Sequence, residues 1–405
     1  MPILNSPFGT STFLTRSGYG EVVLTVLPPS SPSLSTLSYN YPLKFLSRLP
    51  ACELDSKYPL HASNPLHLYL LTYGGGLLPG DHIDVSITLQ PRGRLVLTTP
   101  QGSTKIFKTE AQSGRKRQPN MSNQEATEGS DMSRQNINVQ LERGTGLCYL
   151  PDPSVPFADS KYEQFQRFTI LQDGKKKHSL SRDPIINDSV PLKGDKPSLC
   201  VLDWVTEGRS ARGEKWSFHS WRGRNEVWLK DVESGKKRLL LRDTVILDDK
   251  HSRGQQQSGI HQNALNPFTS IISRSNPHGI LGTLILHGPL YESLASFFME
   301  IFAAHPRIGG QNWGTASELS VFYPHGTGVK SKGTTDTINN GDEDMNNSIF
   351  YPENVTWTAA KIRNNFVLVK FGANDFECAK LWLGNMFRRE GSIVKEFGEE
   401  ALDGF

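Results

Sequence analysis

The stretch His82-Ile83-Asp84-Val85-Ser86-Ile87-Thr88-Leu89-Gln90 decides the fold class. Ile83, Val85, Ile87 and Leu89 alternate with Asp84, Ser86, Thr88 and Gln90. That is the period-two pattern of a strand with one buried face. The strand is entered through Gly74-Gly75-Gly76-Leu77-Leu78-Pro79-Gly80-Asp81, a corner fed by Leu68 and Leu70. A second block, Leu97-Thr98-Thr99-Pro100-Gln101-Gly102-Ser103-Thr104-Lys105, closes the next strand. Glycine serves where φ is positive or backbone approaches something closely. Gly74, Gly75, Gly76 and Gly80 are more than a simple turn needs. The corner is not a phosphate cradle. A P-loop needs G-x-x-x-x-G-K-[ST] followed by a helix, whereas Asp81 follows Gly80 and the next segment is a strand. The plain reading is a tight β-corner whose Asp81 caps N–H groups of its own loop.

Outward from this point the chain stays strand-rich. Segments 21–27, 66–72, 94–99, 137–141, 216–221, 226–229 and 238–247 are apolar or alternating, with Gly, Pro, Asn and Asp between them. Short strands at such spacing predict a mainly β fold, a layered β-sheet scaffold of β-sandwich or β-helical kind. Two helices are predicted late in the chain. One follows Gly288-Pro289 and places Leu290, Leu294, Phe297, Phe298, Ile301 and Phe302 on one face, with His305-Pro306 as its stop. The other runs from an Asp375 N-cap to Arg389, with Ala379, Trp382, Leu383, Met386 and Phe387 as its apolar stripe and Gly391 as its end. No internal repeat stands out. The whole chain, 1–405, reads as one domain. Polar stretches at 110–134, 248–263 and 325–348 interrupt it and are expected to be flexible, since they hold too little apolar area to offset chain entropy.

The net charge is only +3, with 44 Lys and Arg against 41 Asp and Glu, which argues against nucleic acid or a membrane surface as partner. No apolar run is long enough to span a bilayer, and no secretory leader is evident at Met1-Pro2-Ile3-Leu4-Asn5. The four cysteines, Cys52, Cys148, Cys200 and Cys378, are far apart and read as single thiols of a cytoplasmic protein.

Chemistry-bearing motifs are few. There is no G-x-S-x-G nucleophile elbow and no H-E-x-x-H, and no two histidines share a predicted helix face at metal-binding spacing. One block remains: Asp203-Trp204-Val205-Thr206-Glu207-Gly208-Arg209-Ser210-Ala211-Arg212-Gly213-Glu214-Lys215-Trp216. It concentrates acids, arginines and glycines between two tryptophans. Buried Arg–carboxylate pairs are costly and persist with good geometry, so the block is either a salt-bridged turn or a specified site.

In register, these blocks resemble the UreD (UreH) urease accessory protein family. The resemblance rests on Gly74 to Asp81, on Leu97-Thr98-Thr99 with Lys105, on Leu150-Pro151-Asp152-Pro153 leading to Pro156-Phe157, and on Asp203 to Trp216. It extends upstream to Pro42-Leu43-Lys44 and downstream to Leu381–Arg389, with Pro79 standing where many members have glycine. It implies a β-rich, non-enzymatic chaperone that binds apo-urease. Such a protein recruits a UreF-type accessory protein and, through it, a UreG-type GTPase, and it passes nickel to the urease active site. No tightly bound cofactor is implied; nickel is in transit. By motif position, Asp81 and Glu214 are expected on the nickel path. Gly74, Gly75, Gly76, Gly80, Thr98, Thr99, Lys105, Asp203, Gly208, Arg209, Gly213 and Trp216 are the motif residues that build the corners. The competing reading is a β-sandwich enzyme on a small polar substrate, with Asp81 and Glu214 as paired carboxylates.

Overall fold

The computed structural model describes residues 16–28, 30–48, 64–100, 102–108, 131–172, 196–248, 270–304 and 354–405. Three strands open the chain: β1 (Tyr19–Leu27), β2 (Ser31–Tyr39) and β3 (Leu43–Arg48). The alternating stretch quoted above is β5 (His82–Leu89), preceded by β4 (Leu66–Thr72) and followed by β6 (Arg94–Thr98). Then come β7 (Lys105–Ile106), β8 (Ser133–Leu141), β9 (Gly146–Tyr149), β10 (Val155–Pro156), β11 (Lys161–Gln172), β12 (Ser198–Thr206), β13 (Ser220–Asp231) and β14 (Lys237–Asp248).

These strands form stacked coils. In each coil the chain runs along one sheet, turns a corner, and returns along the other. β4, β6, β9 and β12 lie side by side in parallel, and so do β5, β8, β11 and β13. Antiparallel strands extend the stack. In the seven-stranded sheet β1 is parallel to β5, β2 pairs with β1, and β14 pairs with β13. The eight-stranded sheet gains β3 at one side. At the other it gains β15 (Ile280–His287), β17 (Phe366–Ala373) and β16 (Val355–Ile362), in that order from β12.

The coils are a repeat that the sequence does not display. Leu89 pairs with Leu141 and Arg94 with Gly146 at one constant offset, but the next coil is shifted by a different number, Tyr162 against Ser133. Corners of unequal length hide the period.

The two sheets enclose one apolar core, built from inward residues such as Val85, Ile87, Ile137, Val139, Phe168 and Leu199. A second core lies on the far face of the eight-stranded sheet. α1 (Ile271–Ser275) precedes β15 and sends Ile271 into the first core, whereas α2 (Glu292–Ala304), α3 (Phe376–Glu390) and α4 (Ser392–Phe397) pack on this far face. Leu294 and Phe298 of α2 meet Trp382, Leu383 and Phe387 of α3 over Val367, Val369 and Phe371 of β17. As expected, Asp375 caps α3, accepting from the Cys378 N–H at 2.8 Å, and Gly391 ends it in the left-handed conformation. The strand expected from Trp216 begins only at Ser220, because Trp216 has φ of 51° and breaks the extended run.

The polar stretches 110–134, 248–263 and 325–348 fall outside the described residues, except for residues 131–134, whose last two open β8, and Asp248, which ends β14. So does the stop expected at His305-Pro306. Among the described residues no helix is long and apolar enough to cross a membrane.

Phe298 is fully buried among Trp357, Trp382 and Phe387. Phe298→Ala is expected to lower unfolding free energy by about 3–5 kcal/mol, and Asp375→Ala by about 1 kcal/mol. Urea titration of the two variants checks both size and order.

Candidate functional site

The blocks Gly74–Asp81, Leu97–Lys105, Leu150–Phe157 and Asp203–Trp216 fall at the corner end of the stack, while Leu381–Arg389 lies in α3. Each corner leans on the next through main-chain bonds. Leu77 N–H donates to Lys105 O at 2.8 Å and Phe107 N–H to Leu77 O at 2.9 Å. β7 pairs with β10, and Ser154 bridges to Val205. Close approach explains Gly76, where a Cβ would come within 2.6 Å of Lys105 O. Gly208 combines a positive φ of 112° with backbone oxygens of Glu214 and Pro156 at 2.9 Å from any added Cβ.

Asp81 caps its own corner, accepting from the Leu78 N–H at 2.8 Å, while its carbonyl accepts from Arg134 N–H. Glu214 locks the fourth corner. Its carboxylate takes two bonds from the Arg209 guanidinium and one from the Ala158 N–H at 3.1 Å. The Arg209 bonds hold the Glu214 carboxyl below its ordinary pKa. Arg209 also stacks over Phe157, 3.9 Å from the ring centroid. Gly213 ends a short 3-10 turn with φ of 74°, and the Trp216 indole donates to His278 O at 3.1 Å. Lys105 contributes its backbone and leaves its side chain in solvent, while Thr98 is half-buried. Asp81 and Glu214 thus serve different corners, with different partners.

Behind the corners the space between the sheets changes character. Inward positions of β8, β11 and β13 are apolar toward the far end, at Ile137, Val139, Phe168 and Val227. At the corner end the same parity carries Ser133, Gln135, Tyr162, Gln164, Gln166 and Asn225, all buried. Buried polar groups need partners, and Gln135, Tyr162, Gln164 and Asn225 find them in one chain ending on Asp203. The Tyr162 hydroxyl reaches Gln164 Oε1 at 3.0 Å and Gln135 Oε1 at 3.4 Å. Gln164 Nε2 donates to Asp203 Oδ1 at 3.1 Å, and Asn225 Nδ2 to Asp203 Oδ2 at 2.7 Å. A cavity of about 20 Å³, room for about one water, opens beside this chain between Thr99, Ser103, Gln135, Tyr149, Asp152, Gln164 and Asp203.

Asp203 is the charge at the centre. Burial pushes its pKa up to about 6, opposed by the Asn225 and Gln164 bonds and by Lys370, and reinforced by the nearby Asp243. Asp152 on the cavity wall is likewise pushed up to about 6 by burial, against Lys380. Room for the Asp203 carboxylate depends on Gly223, where a Cβ would stand 3.1 Å from Oδ2 and 2.6 Å from the Trp221 ring.

Of the motif residues, the structure places Asp203 and Thr99 against this seam and the others in the corners that close it. Asp152 lies within one of the motifs, while Gln135, Tyr162, Gln164, Gln166, Asn225 and Asp243 are functional candidates outside them. Their signal was available as polar residues at core-facing parity in otherwise alternating strands. Among the described residues no cluster of three or more His, Cys, Asp and Glu is placed to hold a metal.

The raised pKa of Asp203 has a sign. Unfolded, the group ionises near 3.8; folded, near 6. Its ionisation therefore opposes folding, with a penalty that grows from about pH 4 to pH 6 and is constant above. Asp203→Asn is expected to raise stability near pH 7.5, by at most about 2–3 kcal/mol. Asn225 can turn its amide to suit the new side chain. The gain should vanish by pH 4. Denaturant midpoints across pH 4 to 8 check this; a gain independent of pH would contradict it.

The sequence matches the UreD urease accessory protein family over residues 22–175 and 193–400. It is similar to urease accessory protein 4 of Cryptococcus neoformans var. grubii, 28% identical over 286 residues that cover 69% of this chain and 73% of the relative. It is 30% identical to urease accessory protein D of Arabidopsis thaliana over 231 residues, 57% of this chain and 60% of the relative. Urease accessory protein UreD of Sorangium cellulosum is 26% identical over 244 residues, covering 60% of this chain and 58% of the relative. These relatives are named as accessories to an enzyme, which sets aside the reading of Asp81 and Glu214 as an enzyme's acid–base pair. The chain belongs to the UreD urease accessory protein family, and its part is in urease maturation.

Proposed function

We propose that this protein is a scaffold that binds apo-urease and carries nickel to the urease active site along the buried polar seam. The observation that carries the reading is Asp203: an acid fully inside a β scaffold, bonded on both oxygens by neutral amides rather than neutralised by a direct ion pair. Such a group lowers stability at neutral pH, and hydrophobic residues of similar volume would pack there without that penalty. A conduit explains its presence. An ion that must leave as well as enter needs polar walls, oxygen donors that exchange with water, and no tight cage. Gln135, Gln164 and Asp203 supply such walls, with Asp152 beside the cavity.

Asp81 and Glu214 are proposed as points at the corner end where the ion joins or leaves this route. In both, the carboxylate also has a structural duty, so their replacement tests fold and passage together. The corner surface is proposed to face the partners: apo-urease, a UreF-type accessory protein, and through it a UreG-type GTPase, all in the cytosol.

Co-expression with urease and the other accessory proteins tests the reading. Asp203→Asn is expected to co-purify with urease as the parent does, yet to lower the nickel content of the purified urease by about tenfold, since the seam loses its central charge. Asp81→Asn and Glu214→Gln should show smaller losses. Fully metallated urease from the Asp203→Asn strain would refute the conduit.

A further inference from the structure

One row of the seam is only partly used by its hydrogen-bonded chain. On the seven-stranded sheet Gln166, Asn225 and Asp243 are partners in one cross-strand row. All three are more than nine-tenths buried. Each keeps one oxygen without a partner: Gln166 Oε1, Asn225 Oδ1 and Asp243 Oδ2. The Asn225 amide is fixed by its bond to Asp203, so its oxygen points away from that acid. On the facing eight-stranded sheet, Asp203, Thr283 and Lys370 form the matching row. Two bonds join the rows, Asn225 Nδ2 to Asp203 Oδ2 and Lys370 Nζ to Asp243 Oδ1, each at 2.7 Å.

The row is rich in oxygen and short of positive charge. Two carboxylates, Asp203 and Asp243, lie close enough to repel each other, and the Lys370 ammonium stands against both. Three unpartnered buried oxygens cost free energy that a cation would recover. A hard or borderline divalent ion takes this donor set of carboxylate and amide oxygens. Lys370 is built to yield. Its side chain is 49% exposed, while Asp243 is 9% exposed. A flexible four-carbon stem can move its ammonium into water. The pair sits near the open side of the sandwich, between edge strand β14 and β17, next to edge strand β16.

We propose that these facing rows are a cation station gated by Lys370, whose ammonium holds Asp243 until a divalent ion displaces it. The inference rests on the conduit reading above and assigns that route its regulation. Lys370 is a positioning residue: it sets how tightly the ion is held and hence how readily it leaves.

Nickel titration of the full purified chain by calorimetry, paired with urease activation, tests it. Lys370→Met removes the competing charge and keeps the bulk. It should lower the apparent Kd for nickel by about tenfold or more and slow delivery to urease. Adding Asp243→Asn to that variant should abolish the gain in affinity. Lys370→Arg keeps the charge and should stay within about twofold of the parent, which holds the test open if Lys370→Met fails to fold. A Lys370→Met protein with the parent's Kd, or a Lys370→Arg protein that binds as tightly as Lys370→Met was expected to, overturns the gate. If Asp203→Asn still slows activation in that case, the conduit survives without it. If Asp203→Asn leaves urease fully metallated, the conduit reading itself fails.

Discussion

The constraint on which the rest depends is the stacking of the corners. Parallel strands cannot be joined by hairpins, so each coil crosses from one sheet to the other through a corner. These corners then lie above one another and must pair. The bonds Leu77 to Lys105, Phe107 to Leu77, and Thr206 to Ser154 continue the two ladders around the bend. Once they are set, the registers of both sheets follow, from Leu66 opposite Leu95 through Lys161 opposite Ser220. The glycines, the Asp81 cap and the Arg209–Glu214 pair are therefore spent on backbone geometry. Small changes of corner shape would shift every inward side chain behind them.

That register sorts the space between the sheets. Away from the corners it is closed by branched aliphatics and Phe168, with the dense packing expected of a protein interior. Near the corners amides, tyrosines and acids hold the same inward positions. The division is sharp within single strands: β8 turns from Gln135 to Ile137 in one step, and β11 from Gln166 to Phe168. An apolar seal and a polar seam thus share one pair of sheets. Water and ions have reason to enter at one end, and none to cross the other.

Much of the fold was legible. Alternation in 82–90 found β5, and the Asp375 cap with its aromatic stripe found α3 almost to the residue, because both signals are local. The coil repeat was not legible. Its period varies with corner length, and sheet pairing is a long-range property that no window along the chain contains. The site was legible in outline. Glycine and Arg–Glu motifs mark the corner end of the molecule, since corners need unusual backbone and leave motifs. Gln135, Gln164 and Asn225 left none. They are ordinary polar residues whose meaning appears only when strand parity shows that they point inward.

The physical tension in the seam concerns charge. An acid with no counter-charge is strongly penalised in a low-dielectric interior, and one with a permanent counter-charge is of no use to a passing cation. Asp203 is held by neutral amides, which steady the carboxylate without cancelling its charge. Asp243 is held by a lysine that can retreat to water. Each arrangement keeps an acid inside the scaffold at moderate cost while leaving it able to attract an ion. A fixed arginine fork, like the one that binds Glu214 at the corner, would be the more stable choice, and it serves there because rigidity is what the backbone requires. The same protein therefore uses the Arg209–Glu214 pair for architecture and the Lys370–Asp243 pair where something must move.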